Sequence, residues 1–446
     1  MTQTALKKRK RKRIDVDRFL DQREGSSAWA MYDDNVRALR EGRLLDVRPV
    51  TLELVISLAC NLLCRECPYR LARQQAGLRR ISRGEFAKPD GDSVMTFDMA
   101  RKVLQRSAAA GVKGVVWTGG GEPTVCEQLP AMLRHSAQLG MVNGLYTNGI
   151  QLGIHGGPAS AILQPDNDMA FVRVSLNFAR PETGRRFSGA TEQDIEAQYK
   201  GLATLYAVRD ALRPTYQAQG KRCPAIQVSV VCDQCNVDDL PEISARVAAI
   251  ASDRTCHDPQ DHFVVRPLTK HCRQSYSTED HTDAVIASIL RACGSNGAGR
   301  RALQQAGIQV YLGFGLNRVG VGAVQRYADV QNCEYESRDR CWANGLFLSG
   351  GPNGNAHLCT DRNCDPSWAI GNLLTQTVDE IYHSPARRAL LERVHSCRCG
   401  PAVCEATCRT PRLNRIARAL MSGELTDAMV QEIRRRSAAD RQLLLS

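Results

Sequence analysis

Three cysteines within eight residues, Cys60, Cys64 and Cys67, carry the most specific chemical signal in the 446-residue chain. They follow a run rich in Val, Leu and Ile, Thr51–Leu58, so they stand on a loop that leaves an expected strand. Cysteine thiolates are the usual ligands of a four-iron, four-sulfur cluster, which offers one ligand position per iron. The C-x3-C-x2-C run fills all but one of them and leaves an iron open, as a catalytic metal site keeps a vacant position. An open iron can bind a small molecule directly, which a purely structural cluster does not need. The competing reading is a zinc site with a distant fourth ligand, although zinc loops favour C-x2-C pairs.

Eighteen cysteines are present in all, and eight of them crowd one stretch: Cys333, Cys341, Cys359, Cys364, Cys397, Cys399, Cys404 and Cys408. Eight is two sets of four, the complement of two closed clusters. The stretch is glycine-rich and sparse in regular structure, so bound metal is expected to hold it. Asn353-Gly354-Asn355 reads as a hairpin turn that brings Cys341 and Cys359 together across paired strands. Cys232-Asp-Gln-Cys235 is a C-x2-C pair with no second pair close in sequence, and is read as two plain thiols. Cys126, Cys223, Cys256, Cys272 and Cys293 read as isolated thiols, commonly buried and inert.

The elements that must position these groups alternate. Strands are expected at Thr51–Leu58, Gly114–Thr118, Val142–Thr147, Phe171–Leu176, Ala225–Cys232 and Phe263–Pro267. Between them lie helical patterns at Thr96–Ala109, Gln128–Leu139, Glu192–Leu212 and Asp239–Ala251. Such alternation gives a parallel α/β sheet. The expected fold is a partial (β/α)6 TIM-like barrel over 51–268, with a basic tail and helical lead-in over 1–50. Connecting helices (Asp283–Cys293, Arg300–Ala306) and a strand at Val310–Gly313 fill 269–332. A small Cys-rich auxiliary iron–sulfur domain spans 333–408 and C-terminal helices span 409–446. Chemistry in such barrels sits at the C-terminal strand ends, here Cys60, Gly119–Glu122, Asn148, Asn177, Asp233 and Arg266.

Apolar residues make up 43% and charged residues 24%, ordinary for a globular protein. No apolar run is long enough to span a membrane, and no secretory signal is evident, so a cytoplasmic location and no membrane partner are expected. The net charge is +12, of which Lys7 to Arg13 supply +7; the remainder, 12 − 7 = 5, is mildly basic. A basic block of this kind is a solvated tail in the first instance, and nucleic acid is not the expected partner.

The three-cysteine spacing, with Gly119-Gly120-Gly121-Glu122-Pro123 closing the second strand, resembles the radical S-adenosylmethionine superfamily over roughly Thr51–Leu268. The resemblance implies that Cys60, Cys64 and Cys67 hold a [4Fe–4S] cluster whose open iron binds S-adenosylmethionine. It implies that Gly120, Gly121 and Glu122 bind the methionyl amino group, and that Ser175 and Asn177 contact the ribose, with Asn148 as a further contact. Val230, with Val228, falls on the strand that borders adenine. The family often carries an aromatic residue just before the third cysteine; here that position is Glu66, and Tyr69 is expected to serve instead. The implied chemistry is one-electron cleavage of the cofactor to a 5′-deoxyadenosyl radical, which takes hydrogen from an unactivated C–H bond. An electron donor such as flavodoxin or ferredoxin is the implied partner. The protein supplies geometry and exclusion of side reactions.

Cys341-x12-Gly354-x4-Cys359, Ile370-Gly371-Asn372-Leu373 and the helix Val378–His383 resemble the SPASM and twitch auxiliary-cluster domains. By that resemblance Cys333, Cys341, Cys359 and Cys408 hold one auxiliary [4Fe–4S] cluster. Cys364, Cys397, Cys399 and Cys404 form a second set whose spacing departs from the family's, so it is either a second cluster or zinc. The layout is similar to radical dehydrogenases and diol dehydratases of aminoglycoside biosynthesis. This implies a small polar substrate such as an aminocyclitol. Residues 1–50 look too short and basic to hold a peptide-recognition domain. Modification of ribosomally made peptides is the alternative. Glu182, Asp233 and Arg266 are pocket candidates by position. The opposing class, a non-enzymatic metal-binding nucleic-acid protein, has no need of Gly119–Glu122.

Overall fold

Short runs of branched residues become strands wherever a polar or glycine-rich loop follows. A computed structural model describes residues 27–65, 67–154, 158–254, 258–268, 283–313, 341–396 and 411–439. The basic tail, Glu66, Cys256, Cys272, Cys333, Cys397, Cys399, Cys404 and Cys408 lie outside the described residues. The strands are β1 (Thr51–Val55), β2 (Gly114–Thr118), β3 (Val142–Thr147), β4 (Met169–Ser175), β5 (Ala225–Cys232), β6 (His262–Pro267), β7 (Gln309–Leu312), β8 (Phe347–Gly350), β9 (Asn355–His357) and β10 (Ala369–Asn372).

All ten belong to one sheet, in the order β10-β9-β8-β1-β2-β3-β4-β5-β6-β7. The architecture is the expected α/β parallel sheet with helices, and it reaches past the six expected strands on both sides. The strand expected among the connecting helices, β7, pairs in parallel with β6 (Phe263 opposite Val310). On the other side β8 pairs in parallel with β1, Thr51 opposite Phe347. Among the described strands β9 pairs antiparallel with both β8 and β10.

Alternation along each strand divides the side chains between two faces. Val172 and Val174 of β4, Val228 and Val230 of β5, and Phe263 and Val265 of β6 enter the main core, each at 2% exposure or less. There they meet Val103 and Leu104 of α3 (Phe97–Ala109), Met132 and Leu133 of α4 (Leu129–Gln138), Ile195 and Leu202 of α7 (Glu192–Ala218) and Val247 of α8 (Leu240–Ser252). Thr96 caps α3 through Met99 N–H at 3.3 Å, and Thr191 with Asp194 forms a capping box on α7.

The opposite face is layered. A small apolar cluster, Val116, Val142, Phe171 and Ala225 with Tyr146 against it, forms a floor. One residue pair further along lie Arg173 and Gln227, then Ser175 and Ser229, then the C-terminal strand ends. Among the described residues no helix is long and apolar enough to cross a membrane.

Candidate functional site

The Cys60–Cys67 loop is held at both flanks. After Cys67 the chain turns into α2 (Arg70–Gln75), with Arg70 N–H donating to Cys67 O at 3.1 Å. Arg80 Nε donates to Asn61 O at 2.8 Å, and its other nitrogens reach Gly189 O and the Asp194 carboxylate. On the far side Leu63 N–H donates to Ser188 O and Arg65 N–H to Phe187 O, both at 2.9 Å. Those carbonyls end α6 (Pro181–Ser188), a helix the sequence pattern did not reveal. Its start is fixed by buried Asp239, which accepts from Ala179 N–H at 2.9 Å, Arg180 N–H at 3.0 Å and Thr183 Oγ1 at 3.0 Å.

Cys60 lies buried where the ends of β1, β2 and β3 meet. Its sulfur accepts from Leu62 N–H at 3.4 Å and from Asn148 Nδ2 at 3.9 Å. The same Asn148 nitrogen donates to Asn61 Oδ1 at 2.7 Å. Asn148 thus fastens the third strand end to the cysteine loop as well as forming its own turn with Ile150 N–H at 3.0 Å. Burial pushes the Cys60 thiol up to about 12, against the pull of the nearby Arg73 guanidinium.

Gly119–Glu122 docks onto that loop backbone to backbone. Gly121 N–H donates to Ser57 O and Glu122 N–H to Ala59 O, both at 2.8 Å. A Cβ on Gly121 would lie 2.0 Å from Ala59 O, and one on Gly120 2.4 Å from Leu58 Cδ2 and 3.2 Å from the Tyr69 ring. The glycines permit close approach, but what approaches is the cysteine loop, and Tyr69 lies over Gly120.

Glu122 is buried, and burial raises its carboxyl above the usual range even though donors surround it. Oε1 accepts from Thr124 N–H at 3.0 Å, Thr124 Oγ1 at 2.6 Å and Thr147 Oγ1 at 2.6 Å; Oε2 accepts from Asn148 N–H at 2.6 Å. A carboxylate has about four acceptor positions, so most of this one serves the protein.

Further along the strand ends, Ser175 Oγ meets Ser229 Oγ at 3.4 Å. Asn177 Oδ1 accepts from Val231 N–H at 2.9 Å, tying β4 to β5. The Val230 side chain packs in the helix-side core, so at that strand it is Val231 that turns to the layered face. Gln198, on α7, was not foreseen: its Nε2 donates to Asn148 O at 2.7 Å and Ser175 O at 3.3 Å, joining two strand ends. A backbone-close contact admits it, since a Cβ on Gly201 would stand 2.2 Å from Gly149 O.

The three pocket candidates separate. Asp233 is buried at the end of β5, accepts from Cys235 N–H at 2.7 Å, and pairs with Arg65 of the cysteine loop at 3.7 Å. Arg266 lies on β6 with Val264, on the layered face. Glu182 is exposed in the first turn of α6. In the layered face itself Arg173 is set by Gln227 Oε1 at 2.7 Å from its Nε, with its guanidinium 5.0 Å from the centre of the Tyr146 ring.

No disulfide joins the described cysteines. Among the described residues no three His, Cys, Asp or Glu side chains converge on the position of a single metal ion. A cubane distributes its thiolates over separate irons and does not ask for that convergence. The cysteine loop fits such a group: its first sulfur is buried, accepts two hydrogen bonds, and lies within the field of a buried arginine. Cys232 sits in the core, its thiol raised well above normal by burial, and Cys235 Sγ accepts from Arg186 Nε at 2.9 Å.

The second cysteine set begins at the other edge. Gly354, at φ +81°, closes the β8–β9 hairpin, as the Asn-Gly-Asn turn led one to expect. Ser349 stands opposite His357, so the register carries Cys359 to the level of Phe347, the same end of the hairpin as Cys341. Cys364 follows at φ +64°, its N–H on Asn363 Oδ1 at 2.9 Å. Because β8 parallels β1, this end of the hairpin is the sheet edge opposite Cys60.

Residues 341–409 match the SPASM family, described as an iron–sulfur cluster-binding domain. A comparison with curated proteins gave no match. Among solved structures the chain is similar to Streptococcus suis SuiB, at 15% identity and TM-score 0.54 over 84% of this chain and 77% of that one. SuiB bound to precursor peptide SuiA gives 14% and 0.52 over 80% and 70%. Native anSMEcpe with bound AdoMet gives 12% and 0.47 over 86% and 100%.

Proposed function

We propose that the chain belongs to the SPASM/twitch group of the radical S-adenosylmethionine superfamily, and that the Cys60–Cys67 loop supports reductive cleavage of S-adenosylmethionine and hydrogen abstraction from a small polar substrate. The bound cluster and cofactor would supply the electron and the radical. Cys60, Cys64 and Cys67 would hold the cluster, and Gly120, Gly121 and Tyr69 would border the cofactor. Ser175 and Asn177 would contact the ribose.

One observation carries the reading. The strand-end site stands directly over a polar layer, Ser175 with Ser229 and then Arg173 with Gln227, which closes on an apolar floor. Arg173 lies two positions before Ser175 on the same face of β4, a strand rise of about 7 Å. Fixed hydroxyl, amide and guanidinium groups over an apolar base suit a compact substrate rich in hydroxyl or amino groups. An aminocyclitol is of that kind. Loss of two hydrogens or loss of water would be the outcome, with the Cys341–Cys359 region taking up the substrate electron in the first case.

The test is anaerobic reconstitution followed by reduction with S-adenosylmethionine and an aminocyclitol panel, with product masses recorded. Expected are at least four irons per chain, 5′-deoxyadenosine, and a product lighter by two hydrogens or by water. A colourless zinc protein that releases no 5′-deoxyadenosine would overturn the reading. Action on a peptide is the second reading, supported by likeness in fold to SuiB, whose structure with a precursor peptide is known. Turnover of a peptide alone would select it.

A further inference from the structure

Three buried nitrogens beside Cys60 meet no acceptor among the described residues: Nε and Nη2 of Arg73, and Nδ2 of Asn61. Arg73 is 4% exposed and Asn61 is wholly buried. The remaining terminal nitrogen of Arg73, Nη1, donates to Leu62 O at 3.0 Å, and Leu62 N–H donates in turn to Cys60 Sγ at 3.4 Å. Asn61 Oδ1 is taken by Asn148 Nδ2 at 2.7 Å, so only the amide nitrogen of Asn61 is left over. Arg73 makes no ion pair among the described residues, and the nearby Glu122 carboxylate is committed to Thr124, Thr147 and Asn148.

A guanidinium keeps its proton under all ordinary conditions. Held in a core without a counter-charge, it is among the most unfavourable arrangements a protein contains. The natural remedy is an anion with several acceptor atoms at the same place. A cluster bound by three thiolates is such an anion, and its sulfurs accept hydrogen bonds. Reduction adds a further negative charge, so a buried cation favours the reduced form more than the oxidised one.

We propose that Arg73 is the charge-compensating residue of the three-cysteine cluster, donating through Nε and Nη2 alongside Asn61 Nδ2, and that it sets the cluster's reduction potential upward. This rests on the reading that Cys60, Cys64 and Cys67 hold a [4Fe–4S] cluster. Arg73 is a positioning and electrostatic residue here; it takes no part in bond breaking.

The experiment is a redox titration, followed by electron paramagnetic resonance, of full-length anaerobically reconstituted protein. The signal that changes on adding S-adenosylmethionine marks the three-cysteine cluster apart from any auxiliary one. Arg73→Met is expected to shift the reduction equilibrium at least tenfold toward the oxidised form, a fall of about 59 mV for one electron. Arg73→Lys, which keeps the charge, is expected to fall by less. A methionine variant with wild-type iron content and an unchanged midpoint overturns the inference. Should Arg73→Met fail to keep iron, iron kept by Arg73→Lys supports the assignment and iron lost from both overturns it. A wild-type chain with no signal that answers to S-adenosylmethionine would instead sink the proposed function itself.

Discussion

The backbone N–H of Asn148 donates to Glu122 Oε2 over 2.6 Å, which locks the end of β3 to the end of β2 beneath the cysteine loop. On the other carboxylate oxygen Thr124 N–H donates at 3.0 Å. Each oxygen therefore faces a backbone donor. Glu122→Gln must turn its NH2 toward one of them, leaving a buried donor unsatisfied at a cost of about 1–3 kcal/mol. A lower urea midpoint and weaker S-adenosylmethionine binding by equilibrium dialysis are expected. An unchanged midpoint would mean that this carboxylate does not lock the strands.

Gly121→Ala brings a methyl group to 2.0 Å from Ala59 O, where only backbone can yield. The cost should exceed the roughly 1–3 kcal/mol of ordinary overpacking. Gly220→Ala, at φ +64° in open space, should cost only about 1–2 kcal/mol. Iron retention after anaerobic purification is expected to be lost in the first variant and kept in the second.

Arg173→Met removes the guanidinium stacked on Tyr146 and held by Gln227, without touching the cysteine loop. Cleavage of S-adenosylmethionine should persist while substrate product falls at least tenfold, so that 5′-deoxyadenosine is released without matching turnover. Equal losses in both would move Arg173 out of the substrate layer.

Asp194 gives a pH signature. Burial opposes its charge, but Thr191 N–H and hydroxyl and the Arg80 pair outweigh burial and hold the carboxyl below the ordinary range. Its folded pKa lies under its unfolded one, so the stability it adds is present above about pH 4 and is lost as pH falls through the folded value. Because Arg80 also grips Asn61 O at 2.8 Å, the loss reaches the cysteine loop. Thermal midpoints measured from pH 6 down to about pH 3 should drop more steeply for wild type than for Asp194→Asn. The variant should be the less stable of the two at neutral pH.

The strands and the cysteine loop were legible because each depends on local pattern. Strands ended at Thr118, Thr147 and Cys232 as expected, whereas β1 stopped at Val55, short of the expected Leu58, and Cys60 stands on the loop that leaves it. Helix α6 was not legible, since its purpose is to offer the carbonyls of Phe187 and Ser188 to Leu63 and Arg65, and backbone groups leave no mark in sequence. Gln198 and Arg73 look like solvated helix positions until the fold buries them. The pairing of β8 with β1 joins distant parts of the chain, which no short-range pattern encodes. Gly120 and Gly121 were expected to let the backbone approach a cofactor; the surface they admit is Leu58–Ala59.

That pairing has one more consequence. β1 launches the first cysteine loop and β8 follows Cys341, with Thr51, Leu52, Glu53 and Leu54 laddered to Phe347, Leu348, Ser349 and Gly350. Redox groups carried by Cys60 on one side and by Cys341 and Cys359 on the other would therefore sit at opposite ends of a single ladder. The separation of such groups would be set by the length of paired strand between them rather than by a loop.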